Sequence, residues 1–444
     1  MSKKLIVIGG VAAGMSAASK ARRTDPNLEV TVYTDGEYIS YAGCGLPYFI
    51  GGRIASKEDL IARSITDFKK QNIDVHTLSK VESIDPQNKK VFIRDLKENK
   101  LFEDNYDKLI IGTGARPFVP GLDGMHLNGI FTLRTINDSL NIIEFLKKER
   151  PKNISIIGGG YIGLEMAENF VENGCKVTVI ERAPHIIPNM DADMAEILTK
   201  YLLEKGVDIR TGETVKGFSG NSSVKSVITD QGEIPTDFVL LSIGVVPNTE
   251  IVEGTGIKLG LRNAILVDRK MNTNIDGIFA AGDCATAYHI VTGKDVYMPL
   301  GTTANKQGRV AGENAAGGDA QFKGVIGTGI ARVMEMEVSR TGLSERECQD
   351  LGIHYETRKI QSMTAAHYCP NSNSIHLKLI AERDTGCLLG AQIVGYAGAA
   401  LRIDMLATAI TIRSTVSQLI DMDLAYSPPF SPVWDPVLIA LNQF

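Results

Sequence analysis

The chain has 444 residues, 43% of them hydrophobic and 22% charged, enough for more than one buried core and balanced like an ordinary globular protein. Lys plus Arg number 47 against 52 for Asp plus Glu, a net charge of -5, without the basic excess of a nucleic-acid binder. The six cysteines form no CxxC pair, which argues against a disulfide scaffold and a zinc ribbon, and no metal site is expected.

The N-terminal MSKKLIVIGG enters a strand at once, with no signal-peptide core, and no apolar run reaches transmembrane length. The expected location is the cytoplasm, without a membrane partner. Leu5 to Ile8 reads as a buried strand, Met15 to Arg23 as a helix and Glu29 to Tyr33 as a second strand. Near the middle the order recurs: strand Asn153 to Ile157, glycine turn, helix Leu164 to Asn173, strand Lys176 to Glu181. Each unit is followed by a strand that ends in glycine, Lys108 to Gly114 and Asp237 to Gly244. Gly277 to Asp283 is a short buried strand that ends in an acid. From about Ile326 the pattern changes to alternating segments such as Ser374 to Ile380, glycine-rich Leu388 to Gly398 and a helix over Leu401 to Ile412, a separate α+β region. The fold class expected is α/β, with two Rossmann-like nucleotide-binding domains and a C-terminal α+β domain.

The middle glycine motif is complete. Gly158, Gly160 and Gly163 satisfy GxGxxG between a strand and a helix, with Gly159, Tyr161 and Ile162 between them. The helix start offers unpaired N–H groups to a pyrophosphate. Glu181 ends the following strand, where a carboxylate accepts from a ribose diol and repels a 2′-phosphate. That favours NADH, and the adjacent Arg182 could soften the preference. The first motif, Gly9-Gly10-Val11-Ala12-Ala13-Gly14, has Val11 at the middle glycine position. Thr34 stands where an acid would hold the ribose, with Asp35 one step later. Asp283, after Ala-Ala-Gly, suits a polyol chain such as ribityl.

Cys44 lies in Tyr38-Ile-Ser-Tyr-Ala-Gly-Cys-Gly-Leu-Pro-Tyr48. Pro47 fits the first turn of a helix, which places Cys44 at a helix N-terminus where the dipole favours a thiolate. Five residues on is Phe49 and five before is Ile39, so no second cysteine completes an internal dithiol. A single thiol acts by forming a mixed disulfide with its substrate or by cycling through sulfenic acid.

The SYxxCGLPY segment, both nucleotide motifs, the AAGD strand and the C-terminal Asp423-Leu-Ala-Tyr-Ser-Pro-Pro-Phe430 together resemble coenzyme A-disulfide reductase, in the single-cysteine branch of the FAD-dependent pyridine nucleotide–disulfide oxidoreductases. The resemblance covers essentially the whole chain. It implies a discontinuous FAD-binding domain over 1–111 and 245–325, an NAD(P)H-binding domain over 112–244 and a dimerisation domain over 326–444. It implies hydride transfer from NADH or NADPH to flavin, then to a Cys44–coenzyme A mixed disulfide, in a homodimer that shares its active site. The implied cofactor contacts are Gly9, Ala12, Ala13, Gly14, Thr34, Asp35, Thr113, Gly114 and Asp283 for FAD. For the nicotinamide coenzyme they are Gly158, Gly160, Tyr161, Ile162, Gly163, Glu181 and Gly244, with Tyr161 covering the pocket. Tyr368 and Tyr426 match two tyrosines that reach the partner subunit's cysteine region and stabilise a departing thiolate. Ser16, Lys20, Arg23, Ser40, Gly43, Asn305 and Trp434 match positions along the coenzyme A path. Gly43 replaces an asparagine and Asn305 a histidine found in some members.

Two rival enzymatic readings remain. An NADH oxidase or peroxidase would use a Cys44 sulfenic acid. Members of that group carry a histidine in the first glycine loop, where this chain has Ala12. A polysulfide or coenzyme A-persulfide reductase shares the chemistry of S–S attack, and many such members carry a fused rhodanese domain, absent from these residues. A regulatory nucleotide-binding protein without turnover would not need the reactive thiol.

Overall fold

The computed structural model describes residues 3–444. The first glycine turn is framed by β1 (Lys4–Ile8), α1 (Ala12–Thr24) and β2 (Glu29–Tyr33), followed by α2 (Leu46–Ile50), β3 (Ile73–His76) and β4 (Lys108–Ile111). The second is framed by β5 (Ile130–Thr132), β6 (Asn153–Ile157), α3 (Tyr161–Glu172), β7 (Lys176–Glu181), α4 (Ala192–Glu204), β8 (Asp208–Thr211) and β9 (Phe238–Leu241). Next come β10 (Ile278–Ala280) and α5 (Gly301–Ala315). The C-terminal part holds β11 (Gly329–Val333), β12 (Met336–Gly342), β13 (Tyr355–Met363), β14 (Ser374–Glu382), β15 (Leu388–Gly395), α6 (Ile403–Thr411) and α7 (Pro436–Leu441).

Two compact units result. One joins Met1–Phe118, Arg134–Ile136 and Val245–Val325. Its sheet runs β10-β4-β1-β2-β3, all parallel. Leu5, Ile6 and Val7 of β1 and Leu109, Ile110 and Ile111 of β4 are fully buried, as expected of strands covered on both faces. The chain reverses direction across the sheet on either side of β1, which puts the crevice for a ligand beyond the carboxyl ends of these strands. An antiparallel three-stranded sheet over 79–105 joins the same unit.

The other unit joins Val119–Leu133, Asn137–Gly244 and Ile326–Phe444. It repeats the parallel order as β8-β7-β6-β9-β5 and adds an antiparallel sheet, β11-β12-β15-β14-β13. The architecture is thus α/β with two Rossmann-like sheets and an α+β C-terminal part. Both helices after the glycine turns start earlier than their sequence periodicity indicates. α1 begins at Ala12 and α3 at Tyr161, because the turn is so tight that the helix opens inside the motif. β14 also departs from expectation. Its sequence alternates, yet Leu377 through Ala381 are all buried, since α4 and α7 bring packing to this sheet.

Among the described residues no helix is long and apolar enough to cross a membrane.

Candidate active site

The first site grows from the β1–α1 turn. Gly9 has φ +114°, and a methyl group there would stand 2.1 Å from the Gly112 carbonyl oxygen. Gly14 packs as closely: its methyl would lie 1.9 Å from the Gly9 oxygen, so β1, α1 and the loop after β4 meet backbone to backbone. α1 begins at N-cap Val11 with no side-chain cap and no acid in its first turn. Its leading N–H groups, those of Ala12 and Ala13 among them, are therefore left for an anion. Thr34 is buried after β2 and its N–H donates to the His76 carbonyl, while Asp35 is exposed beside it.

The loop after β4 is latched. The Thr113 hydroxyl donates to the Asn248 carbonyl at 2.6 Å, and Asn248 Nδ2 returns a bond to the Thr113 carbonyl at 3.0 Å. Asn248 N–H donates to the Gly114 carbonyl at 2.9 Å. Asp283 follows β10, largely buried, and accepts from Arg134 at 2.7 Å. The Tyr297 hydroxyl donates to the Asp283 main-chain carbonyl at 3.0 Å. Burial, then the Asp283 charge, pushes the Tyr297 phenol well above its ordinary range. The sequence did not single out Arg134, Asn248 or Tyr297. Only the partner of Arg134 was legible, since a buried strand-end carboxylate requires a cation.

Cys44 sits in a short 3-10 turn, Gly43–Gly45, one residue before Gly45, the N-cap of α2, with Pro47 in the first turn as expected. The segment starts from the glycine turn: Ser40 N–H donates to the Gly10 carbonyl at 2.8 Å. Ser40 itself has φ +48°, an unusual value for a residue with a Cβ, the kind of local strain that clusters at functional sites. A methyl at Gly43 would meet no atom within 4 Å, so the glycine leaves the approach beside Cys44 open. Of the six cysteines, Cys44 alone is exposed. Burial pushes the thiols of Cys175 and Cys284 up, and that of Cys348 up to about 12, which marks them as inert.

Ser16 and Lys20 form a half-exposed stripe on α1, with Arg23 exposed a turn later. The structure joins this stripe to α5, where the Ser16 hydroxyl donates to Asn305 Oδ1 at 2.6 Å. Ser16, Lys20, Arg23, Ser40, Gly43 and Asn305 thus all belong to the unit that holds Cys44.

The second site repeats the first. Gly158 has φ +106°, and a methyl there would approach the Ser242 oxygen to 2.6 Å. The Gly163 methyl would reach the Gly158 oxygen at 2.2 Å. Gly160 behaves differently. Its φ of -80° suits any residue, and an added methyl would meet no protein atom within 4 Å. Nothing inside the protein requires glycine there, so the position is open to the close approach of a ligand. α3 starts without a side-chain cap or a first-turn acid, with Ile162 exposed in that turn. Tyr161, its first residue, ends in a buried hydroxyl, and burial pushes that phenol up, opposed by the Arg340 charge and a hydrogen bond with Asn189. Glu181 is pinned at the end of β7: Oε2 accepts from Gly159 N–H at 2.8 Å and Oε1 from Ala183 N–H at 2.7 Å. Gly244 lies beyond β9, where a side chain would again meet open space. The open position at Gly160 and the uncapped helix fit a dinucleotide.

In the same unit, Tyr368 and Tyr426 come together. Ala366 N–H donates to the Pro428 carbonyl at 2.9 Å, tying their two segments. Arg402 adds bonds to the carbonyls of Thr364 at 2.8 Å and Phe430 at 3.2 Å, and an ion pair to Asp435 at 2.9 Å. The hydrogen bond that Tyr368 donates to Tyr426 is the leading cause that raises the Tyr368 phenol. Both rings are exposed, as are Phe430, Val433 and Trp434.

Two doubly wound sheets, each with an anion-ready glycine turn, define the class as a dinucleotide-dependent oxidoreductase. The chain belongs to the pyridine nucleotide-disulphide oxidoreductase family, whose model matches residues 3–308, while the family's dimerisation domain matches residues 330–436. It is 38% identical over 440 residues to an NAD(P)H coenzyme A polysulfide/persulfide reductase of Pyrococcus horikoshii, covering 99% of this chain and 98% of the relative. It is 32% identical over 434 residues to a coenzyme A disulfide reductase of Staphylococcus haemolyticus, covering 97% and 96%. The structure of reduced CoADR-RHD from Bacillus anthracis superposes with a TM-score of 0.97 at 36% identity, covering all of this chain and 80% of that one.

Proposed function

We propose that the protein reduces coenzyme A disulfide, or a related coenzyme A mixed disulfide, with NAD(P)H through Cys44. The observation that carries this reading is the placement of the one exposed cysteine on a segment bonded directly to the first glycine turn. The Cys44 thiolate attacks one sulfur of the substrate, expels the first coenzyme A as thiolate and keeps the second in a mixed disulfide. Two electrons from the nicotinamide coenzyme then restore the Cys44 thiolate and free the second thiol. FAD, held by the turn after β1, the latched loop at Thr113 and Gly114, and Asp283, supplies the two-electron relay between nicotinamide and sulfur. Gly158, Gly160, Gly163, Glu181 and Gly244 hold the nicotinamide coenzyme. Ser16, Lys20, Arg23, Ser40, Asn305 and Trp434 line the path of coenzyme A.

In this reading the working form is a homodimer. Tyr368 and Tyr426 serve the partner's thiol by donating hydrogen bonds to the departing sulfur. The exposed Phe430, Val433 and Trp434 are the apolar surface such an assembly would cover.

Intact-mass measurement of the purified protein tests the reading. The expected result is an adduct of coenzyme A mass on Cys44 that reductant removes. Cys44→Ser should retain FAD and lose turnover of coenzyme A disulfide. An added oxygen on Cys44, or full activity in Cys44→Ser, would overturn the proposal. A second reading, reduction of coenzyme A persulfide or polysulfide, gains support because the Pyrococcus horikoshii relative of that name, at 38% identity, is more similar than the Staphylococcus haemolyticus disulfide reductase, at 32%. The ratio of kcat/KM for persulfide to that for disulfide separates the two.

A further inference from the structure

α1 and α5 cross with their backbones in contact. A methyl on Gly308 would lie 2.3 Å from the Ala13 carbonyl oxygen, and one on Gly312 would lie 2.1 Å from that of Ala17. Two glycines a turn apart thus let the helices touch, and the side chains that flank the seam form one continuous face. Ser16 bonds Asn305 at 2.6 Å and Lys20 pairs with Glu313 at 2.8 Å. Asn305, Arg309 and Glu313 follow one another at four-residue spacing, so Arg309 lies between the two points where α1 holds α5.

The charges on this face are unequal. Lys20 is neutralised by Glu313. Arg23 and Arg309 are exposed, and no carboxylate lies within ion-pair distance of either among the described residues. Arg63 adds a third cation behind them. Its Nη1 donates to Ser19 at 3.1 Å, its guanidinium lies 4.0 Å from the centroid of the Phe68 ring, and its Nη2 is buried without a partner. A buried guanidinium nitrogen with no acceptor leaves one donor unsatisfied by the protein.

We infer that Arg309, on α5, is a phosphate-binding specificity residue for the anionic disulfide, and that Glu313 tempers the site by holding Lys20. The inference rests on the coenzyme A reading and extends the substrate path along α5 beyond Asn305. Arg23 and Arg309 flank the seam with planar donor forks suited to phosphate oxygens, whereas Lys20 already has a partner. Glu313 repels the same phosphates and so limits affinity for any polyanion.

The experiment compares kcat/KM for coenzyme A disulfide with kcat/KM for pantethine, an uncharged disulfide without phosphates, in the FAD-loaded enzyme. Arg309→Gln should lower the ratio about tenfold, the value of one charge-assisted hydrogen bond. Glu313→Gln should raise the ratio about threefold, as loss of one surface like charge implies, and the gain should vanish at high salt. Opposite signs from two neighbouring residues would not follow from a packing defect. If the wild type turns over coenzyme A disulfide and neither variant moves the ratio, the inference fails while the proposed function stands. If the wild type shows no preference for coenzyme A disulfide over pantethine, the coenzyme A reading fails and this inference with it.

Discussion

Glu181→Gln separates two roles that one carboxylate holds at the second site. Both oxygens of Glu181 accept backbone N–H groups, from Gly159 at 2.8 Å and Ala183 at 2.7 Å, so the side chain braces the glycine turn. Glutamine keeps one acceptor oxygen and loses the charge. The lost brace acts on either coenzyme alike and costs about 1 kcal/mol, roughly fivefold in kcat/KM for both. The lost charge acts on them differently. A ribose diol gives up the extra strength of a charge-assisted bond, about 1 kcal/mol. A 2′-phosphate escapes a repulsion of about 3 kcal/mol for like charges ~6 Å apart at a dielectric near 20, or about 2 kcal/mol after screening by salt. Arg182, exposed and next in the chain, remains to meet that phosphate. The two differential effects add, so the ratio of kcat/KM for NADPH to that for NADH should rise by about 100-fold. Steady-state kinetics with each coenzyme at a fixed disulfide concentration give the ratio directly. An equal fall for both coenzymes would show that Glu181 braces the turn and reads no ribose.

Tyr426→Phe removes the hydrogen bond that leads the upward shift of the Tyr368 phenol. The Tyr368 titration should move down toward the ordinary phenol value, and turnover should slow roughly 10-fold, as loss of one charge-assisted hydrogen bond implies. Sedimentation should still show the dimer, and a monomer would make the tyrosine structural instead. Lys378 is the cation of a buried cluster, with Asp193 at 2.8 Å and Asp191 at 3.2 Å, and it also pairs with Glu345. Burial lowers its pKa, but the hydrogen bonds to Asp193 and Glu345 and the neighbouring charges raise it further. Lys378→Met should cost about 3–5 kcal/mol in denaturant unfolding at neutral pH, because buried carboxylates lose their partner. The Asp193 pKa is lowered in the folded protein despite its burial, by hydrogen bonds from Lys378 and Lys359. In the wild type, that contribution is present above the unfolded carboxylate value and lost as pH falls through the folded one. In Lys378→Met the carboxylates titrate higher, so the deficit should shrink on acidification. A deficit that does not change with pH would show that the ion pairs are not its source.

The two glycine turns were legible because the residues that build them are local. Gly158, Gly160, Gly163 and Glu181 lie within one βαβ unit, and residues that must approach a ligand cannot be disguised by a larger side chain. The first site was harder to read, since Val11 breaks its motif, and the structure shows why the break is tolerated. The contacts with backbone that demand glycine fall on Gly9 and Gly14, while Val11 is the N-cap, the position at which, in the second turn, a methyl on Gly160 would meet no protein atom within 4 Å. Arg134 was not legible at all. It arrives from a crossing segment between β5 and the following helix, far in sequence from Asp283, and no spacing rule links the two. Lys378 was concealed for a related reason. A lysine in an alternating strand reads as an outward residue, yet this one has 4% side-chain exposure because acids from the start of α4 and from Glu345 close over it.

These cases share one physical rule. Sequence reveals a site when a single segment supplies both the group and the reason for it, as the glycines of the second turn do. It conceals a site when the group and its compensating partner come from different segments, as with Asp283 and Arg134. The α1–α5 seam belongs to the second kind. Its glycines at 308 and 312 carry no nucleotide motif, and only the helix crossing puts Arg309 beside the Ser16 and Lys20 stripe. The charge balance on that face, with Lys20 cancelled by Glu313 and Arg309 left over, therefore has no signature in either helix alone. The discrimination proposed for that face thus rests on residues whose meaning is set by tertiary contact, while the glycine turns and the Cys44 segment are set by the local chain.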